Sequence, residues 1–394
     1  MGLEKITIDM HPGAGYGLEN RLWQGCPTIL RTRGGRLFAG WYSGGAGEPD
    51  PENYNLLVRS DDDGWTWSKP LLVVPSEMEK NFIAIDIQLW LDPAGRMWMF
   101  ITQRYLGGGR RISDPDHLAL WAAVCDDPDA EVLSWSEPRF IANGFLRTQP
   151  TVLSNGDWVL CAYDWNSPDY RYSRSRDRGR TWIRCEAGKK LLPDFDETMI
   201  LERRDGTLLM FARDIRPLMV RTVSVDLEGT SWTQGTYTDL LNGRSRFFLR
   251  RLASGRVLLI CNASTTYRTN LRAALSEDDG ETFPHELLLD KADIPERGVS
   301  YPDAVEDDRG RIFIVYDRGR TTAREIVMAQ ITEEDILAGT VVSEESYLAR
   351  AISKAPIPRD AAALEERRRF RASWREKYFQ PLCRDHDIFS GRIK

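Results

Sequence analysis

The sequence predicts an all-β fold, a six-bladed β-propeller, on three observations. An eight-residue pattern, Ser-x-Asp-x-Gly-x-Thr-Trp, recurs along the chain. Glycine-centred hairpins recur at near-even spacing. The composition, with 31 Gly, 13 Trp, 13 Tyr and 14 Phe, suits many short strands and tight turns.

The eight-residue pattern is clearest at Ser175, Asp177, Gly179, Thr181 and Trp182. Ser60, Asp62, Gly64, Thr66 and Trp67 repeat it, and Ser276, Asp278, Gly280, Thr282 and Phe283 exchange one aromatic. A worn copy, one residue longer, sits at Ser224, Asp226, Gly229 and Trp232. The short carboxylate can accept N–H groups within a turn, while Gly supplies a backbone angle that a side chain would resist. The aromatic then plugs the loop onto a hydrophobic layer. The motif is a hairpin staple and carries no catalytic role.

The hairpin glycines are Gly35, Gly95, Gly156, Gly206, Gly255 and Gly310, at intervals of 60, 61, 50, 49 and 55 residues. Apolar runs flank each, as in Pro27–Leu30 and Leu37–Tyr42 around Gly35. This period is that of a four-stranded blade, with glycine hairpins joining the inner strands and staples joining the outer pair. A β-sandwich has no reason to repeat so. Residues 1–24 read as an irregular segment ahead of a propeller spanning 1–357. The Gly107–Gly109 stretch reads as an inserted loop. Thr332–Gly339 reads as a capped helical turn. Residues 358–394 read as a helical tail packed on the propeller, with Leu364, Phe370, Trp374 and Tyr378 near helical spacing and a solvated run from Glu365 to Arg369.

A net charge of −6, from 53 basic and 59 acidic residues, argues against nucleic-acid or anionic-membrane partners. No apolar run is long enough to span a bilayer. The six cysteines lack Cys-x-x-Cys spacing, and Cys161 and Cys261 sit in apolar runs as buried thiols. Four histidines without ligand spacing give no reason to expect a metal, and no cofactor is expected; His117 reads as a surface-loop residue. The Gly107–Gly109 run lacks the Lys-Ser/Thr of a phosphate loop. The N-terminus has no basic stretch followed by an apolar one, which favours a cytoplasmic protein, with a trimmed secreted form also open.

The repeat locates the candidate site, because propeller ligands usually bind on the axis at one end. Nine residues before each turn glycine lie Cys26, Asp86, Arg147, Glu197, Arg246 and Tyr301. Seven to nine residues after it lie Ser43, Gln103 with Arg104, Asp164, Arg213 with Asp214, Asn262, and Asp317 with Arg318. One residue of this kind is commonly a rim charge. A tyrosine, carboxylates and several arginines converging together point to a polar cavity for an anionic ligand.

Roughly residues 25 to 340 resemble the sialidase superfamily, as a divergent branch. The repeated motif resembles its Asp box. Asp194–Arg213 is similar to the segment bearing the glutamate base and an arginine of the carboxylate clamp; Arg268-Thr269-Asn270-Leu271 is similar to the segment of another clamp arginine; and Ser300–Ala304 is similar to that of the tyrosine nucleophile. The resemblance implies an exo-acting, retaining glycosidase on an acidic sugar, with Tyr301 as nucleophile, Glu197 as base, and Arg213 and Arg268 on the carboxylate. A neutral tyrosine suits an anomeric carbon bearing a carboxylate, which would repel a carboxylate nucleophile, and arginine grips a carboxylate in two-pronged geometry. Glu48 and Asp50, on the loop matching that of the general acid, are both candidates for that role. Arg246, Asp86, Arg147, Arg104 and Arg318 complete the expected binding set. The chain departs from the family at Gly25-Cys26-Pro27, where sialidases have Arg-Ile-Pro; Arg246, Arg147 or Arg21 are candidates to replace that arm. Two other readings compete: a polysaccharide lyase or hydrolase on uronate-containing glycans, and a non-catalytic glycan-binding propeller.

Overall fold

The computed structural model describes residues 4–106, 118–164, 167–191, 197–292, 298–358 and 360–379. Twenty-four strands form six four-stranded sheets, each paired antiparallel in sequence order. The blades span residues 23–75, 82–142, 151–189, 198–241, 248–291 and 299–354. The expected inserted loop at Gly107–Gly109 and His117 lie outside the described residues.

Each hairpin glycine takes the positive φ that joins the first two strands of its blade, from +93° at Gly35 to +74° at Gly310. The eight-residue motifs join the third and fourth strands. In the first copy Ser60 Oγ accepts from the Gly64 N–H at 2.9 Å, and Asp62 accepts from Thr66 N at 2.8 Å and Thr66 Oγ1 at 2.6 Å. The Thr66 hydroxyl and N–H hold the Asp62 carboxyl below its ordinary value. The copies at Asp177 and Asp278 make the same bonds. The worn copy at Asp226 keeps the threonine contacts through Thr230.

Apolar side chains fill the wedges between blades. Leu30, Phe38, Leu89 and Met99 pack blade one on blade two, and Trp90, Trp98 and Trp158 pack two on three. Ile29, Trp41, Phe313 and Met328 join blade one to blade six and close the ring. The first and last blades meet there side by side, without a shared sheet.

The capped turn is helix α1 (Glu333–Ala338), with a Thr332–Asp335 capping box and Gly339 left-handed at its end. The tail helix is α2 (Ala361–Phe379). Its packed face is set by residues 364, 367, 371, 374 and 378, a three-four spacing, and Trp374 is buried on it. Phe370, expected on that face, is 54% exposed, because it lies a residue out of phase. No helix among the described residues is long and apolar enough to cross a membrane.

Candidate functional site

Three blades begin their first strand with a bulge, between Gly25 and Thr28, Ala84 and Ile87, and Ser300 and Asp303. In blades one and six the bulged residue is followed by proline and takes positive φ, +55° at Cys26 and +57° at Tyr301. Such a kink re-aims one side chain out of the strand's alternation. For a tyrosine this backbone conformation is strained, and it persists where the surroundings enforce it. Here Arg246 enforces it: the guanidinium donates to the carbonyls of Tyr301 at 2.6 Å, Pro27 at 2.7 Å and Arg147 at 2.8 Å.

The Tyr301 hydroxyl donates to Glu197 Oε1 at 2.6 Å. Two guanidiniums bracket this contact. Arg147 Nη1 lies 2.7 Å from the hydroxyl and 3.0 Å from Glu197 Oε1, and Arg213 Nη1 lies 2.9 Å from the hydroxyl and 2.8 Å from Glu197 Oε2. Burial alone would raise the Glu197 carboxyl; Arg213, Arg147 and the tyrosine outweigh it and hold it at about 2. Burial raises the tyrosine, against its arginine neighbours. The pair is therefore a neutral phenol against a fixed carboxylate, the protonation a tyrosine nucleophile and its base require.

Arg147 continues to Asp86 through Nε at 2.7 Å and to Glu48 through Nη2 at 2.9 Å. Burial raises Asp86 to about 6, with Glu48 adding to the effect and Arg147 opposing it. Arg320 donates to the other Glu48 oxygen and to Asp317, each at 2.9 Å, and lies 4.3 Å above the Tyr301 ring. Arg268 lies 4.9 Å from that ring, donates to the Arg244 carbonyl at 3.0 Å, and has no carboxylate partner among the described residues. Burial lowers it to about 10, with Tyr301 opposing and Arg320 and Arg213 assisting. Around Tyr301, five guanidiniums (147, 213, 246, 268, 320) face four carboxylates (48, 86, 197, 317) among the described residues, an excess of positive charge.

Seven of the expected residues thus meet: Tyr301, Glu197, Glu48, Arg213, Arg268, Asp86 and Arg147. Four behave otherwise. Asp50 accepts the N–H groups of Ala46 at 2.8 Å and Glu52 at 3.0 Å, so it shapes the loop that presents Glu48. Arg246 is spent on three carbonyls beneath the tyrosine and has no open face for a ligand. Arg318 pairs with Asp290 and Glu325 away from the axis; neighbours on a strand face opposite ways, and Asp317 is the one that faces in. Arg104 is buried in blade two, and no described contact joins it to Tyr301 or Glu197. Arg21, considered as a replacement arm, bonds Ser353 and the Tyr16 carbonyl instead.

Arg320 went unforeseen. It follows the end of its strand by two residues, beyond the stretch governed by the repeat, and Gly319, at φ +52°, turns the chain back to the axis. The Arg318-Gly319-Arg320 sequence is the only hint of it. The Cys26 thiol and the Glu48 and Asp86 carboxylates approach within 4.8 Å of one another. This donor set does not suit a cation: Arg147 and Arg320 already hold both carboxylates, and burial keeps the thiol protonated.

Residues 35–314 match the BNR repeat-like domain family. No curated protein sequence is significantly similar. Among solved structures, a protein of unknown function from Dyadobacter fermentans superposes with TM-score 0.61 at 19% identity, covering 82% of this chain and 96% of that one. The NanB sialidase of Streptococcus pneumoniae gives 0.62 at 14% identity, over 84% and 68%. A leech intramolecular trans-sialidase, in complex with 2,7-anhydro-Neu5Ac, gives 0.64 at 14% identity, over 82% and 70%. At these identities the likeness is one of fold.

Proposed function

The chain belongs to the BNR repeat-like domain family and has the sialidase-like six-bladed fold, and from that premise we propose that it is a retaining, exo-acting glycosidase of an acidic sugar. The observation that carries the proposal is the 2.6 Å contact between the Tyr301 hydroxyl and Glu197, bracketed by Arg147 and Arg213. Glu197 takes the hydroxyl proton as the tyrosine oxygen bonds to the anomeric carbon. The bond to the leaving oxygen breaks, and a proton from the Glu48–Asp86 pair goes to that oxygen. Water then attacks the anomeric carbon and leaves its proton on the Glu48–Asp86 pair, while the bond to the tyrosine oxygen breaks and that oxygen takes back the proton from Glu197. Arg268, without a carboxylate partner among the described residues, supplies the charge for the sugar's carboxylate, alongside Arg320 and Arg213. Arg320 supports the reading that the arm missing at Cys26 is supplied from blade six. Sialic acid and related sugar acids fit this set.

A fluorogenic neuraminide and a panel of other sugar-acid glycosides test the proposal. Turnover by the wild type is expected, with Tyr301→Phe and Glu197→Gln each slowed at least about a hundredfold and the double variant little worse than either. An unsaturated, ultraviolet-absorbing product from a uronate polymer would replace hydrolysis by elimination, and binding of acidic oligosaccharides without turnover would leave a lectin-like propeller.

A further inference from the structure

Glu48, on the loop after the second strand of blade one, joins two of the guanidiniums around Tyr301. Arg147 Nη2 donates to its Oε1 and Arg320 Nη1 to its Oε2, each at 2.9 Å. Two guanidiniums, one on each oxygen, are the arrangement in which arginines hold a bound carboxylate. Here a side chain of the chain itself fills it. Guanidiniums this buried are costly without a counter-charge, and Glu48 supplies one. Arg147 and Arg320 are 8% and 4% exposed, whereas Glu48 is 20% exposed, so it is the partner that solvent reaches.

Arg320 has a second acidic partner, and the two are held differently. Asp317 is fully buried and accepts from the Cys26 N–H at 2.9 Å, Ser300 Oγ at 2.5 Å and Arg320 Nε at 2.9 Å. It cannot leave without orphaning donors in blades one and six. Glu48 meets Arg320 at the end of a flexible side chain. The loop that carries it is fixed. Asp50 accepts from the Ala46 and Glu52 N–H groups, and Arg371 of α2 donates to the Glu48 carbonyl at 2.6 Å and the Pro49 carbonyl at 3.0 Å. A Cβ on Gly45 would sit 2.1 Å from the Asp50 carboxyl carbon, and one on Gly47 2.6 Å from the Arg371 guanidinium carbon, so the backbone has no slack on this side of Glu48. Movement here belongs to the side chain. Arg268 and Arg320 both lie against the Tyr301 ring, at 4.9 and 4.3 Å. A carboxylate drawn to Arg268 therefore comes within reach of Arg320 and competes with Glu48 for it.

We propose that Glu48 is an internal occupant of the carboxylate-binding arginines, and that a ligand's carboxylate takes Arg320 from it while Glu48 keeps Arg147. A neutral sugar brings no charge to exchange, so the ion pair filters for acidic ligands. The proposal rests on the glycosidase reading only for the class of ligand. A tethered competitor weakens binding by the fraction of molecules in which Arg320 is free; with about a tenth free, affinity is about tenfold weaker.

N-acetylneuraminic acid and glucuronic acid, each with its methyl ester, are titrated calorimetrically into the full chain and its Glu48→Gln variant. The variant is expected to bind the preferred acid about tenfold more tightly, with the ester unchanged. Loss of a nearby negative charge would also favour an anion, and two variants separate the effects. In an Arg320→Gln background the gain from Glu48→Gln should vanish. Glu48→Asp keeps the charge but is too short to span both arginines, so it too should bind the acid more tightly. No tightening in Glu48→Gln, tightening absent from Glu48→Asp, a gain that survives Arg320→Gln, or no binding of either acid by wild type and Glu48→Gln would overturn the proposal. Tightening without turnover of any glycoside would support the exchange and remove the glycosidase reading alone; turnover without tightening would do the reverse.

Discussion

Tyr301 and Glu197 both lie nine residues ahead of their hairpin glycines, and the ring carries them together from blades six and four. Their neighbours separate two carboxyls by protonation. Glu197, held at about 2, is ionised throughout the range in which the fold is used; the stability it contributes is full above its ordinary 4.5 and is lost only as pH falls towards 2. Asp86 behaves oppositely. Burial lifts it from 3.8 to about 6, against Arg147 and with Glu48 and Glu197 facing it. Between those values the folded chain keeps a proton that the unfolded chain has released, so this group's contribution to stability falls as pH rises from about 4 to 6. Asp86→Asn cannot ionise. The melting temperature of the variant relative to wild type is therefore expected to improve from pH 4 to pH 7, read by circular dichroism. A difference that does not vary with pH would refute the assignment. The positions of both residues were legible because the repeat fixes where first strands begin. Their protonation was not, since it depends on Arg147 and Arg213 arriving from different blades.

The hairpins and staples are the elements read best from sequence, because each is a local code in which Gly, Asp and Thr bond within a few residues. Side-chain direction at the strand ends is read worse. Arg318 and Arg320 have the same chemistry, yet one faces outward to Asp290 and the other the axis, and only the turn at Gly319 decides which. In α2 an inventory of apolar residues selected Phe370, whereas the working face runs through two arginines, Arg367 and Arg371. That face gives the helix a positioning role. Through its bonds to the Glu48 and Pro49 carbonyls, Arg371 holds the backbone that carries Glu48. Arg371→Ala is expected to lower kcat by about tenfold or more, because a shift of about 1 Å in a reacting group is costly. It should act equally on aryl and sugar leaving groups, with Arg371→Lys restoring part of the loss by keeping one carbonyl contact. A fall confined to melting temperature, with kcat intact, would make the contact merely structural.

Across the whole molecule, the ring has to close without a strand shared between its ends, and a buried carboxylate on the axis helps to do this. Asp303, in blade six, accepts from Thr28 Oγ1 at 2.5 Å and Ile29 N at 3.2 Å in blade one, from Gln88 Nε2 at 2.9 Å in blade two, and from Gln149 Nε2 at 3.1 Å ahead of blade three. Gln149 also reaches the Ala304 carbonyl at 3.1 Å. These bonds are long-range in sequence, so no local pattern announces them, although the six-fold period required some such junction. They lie on the same first strands as Tyr301 and Cys26, below the bulges, so the closure that binds the ring also sets the floor of the site. Removing the acceptor strands buried donors from several blades, each at about 1–3 kcal/mol when nothing replaces it. Asp303→Ala is accordingly expected to cost about 3 kcal/mol and to lower the melting temperature by roughly 5 °C. Asp303→Asn, which keeps one acceptor oxygen, should lose less. If the ring were held by its apolar wedges alone, Asp303→Ala would melt with the wild type, and the axial network would then serve the geometry of Tyr301 without stabilising the fold.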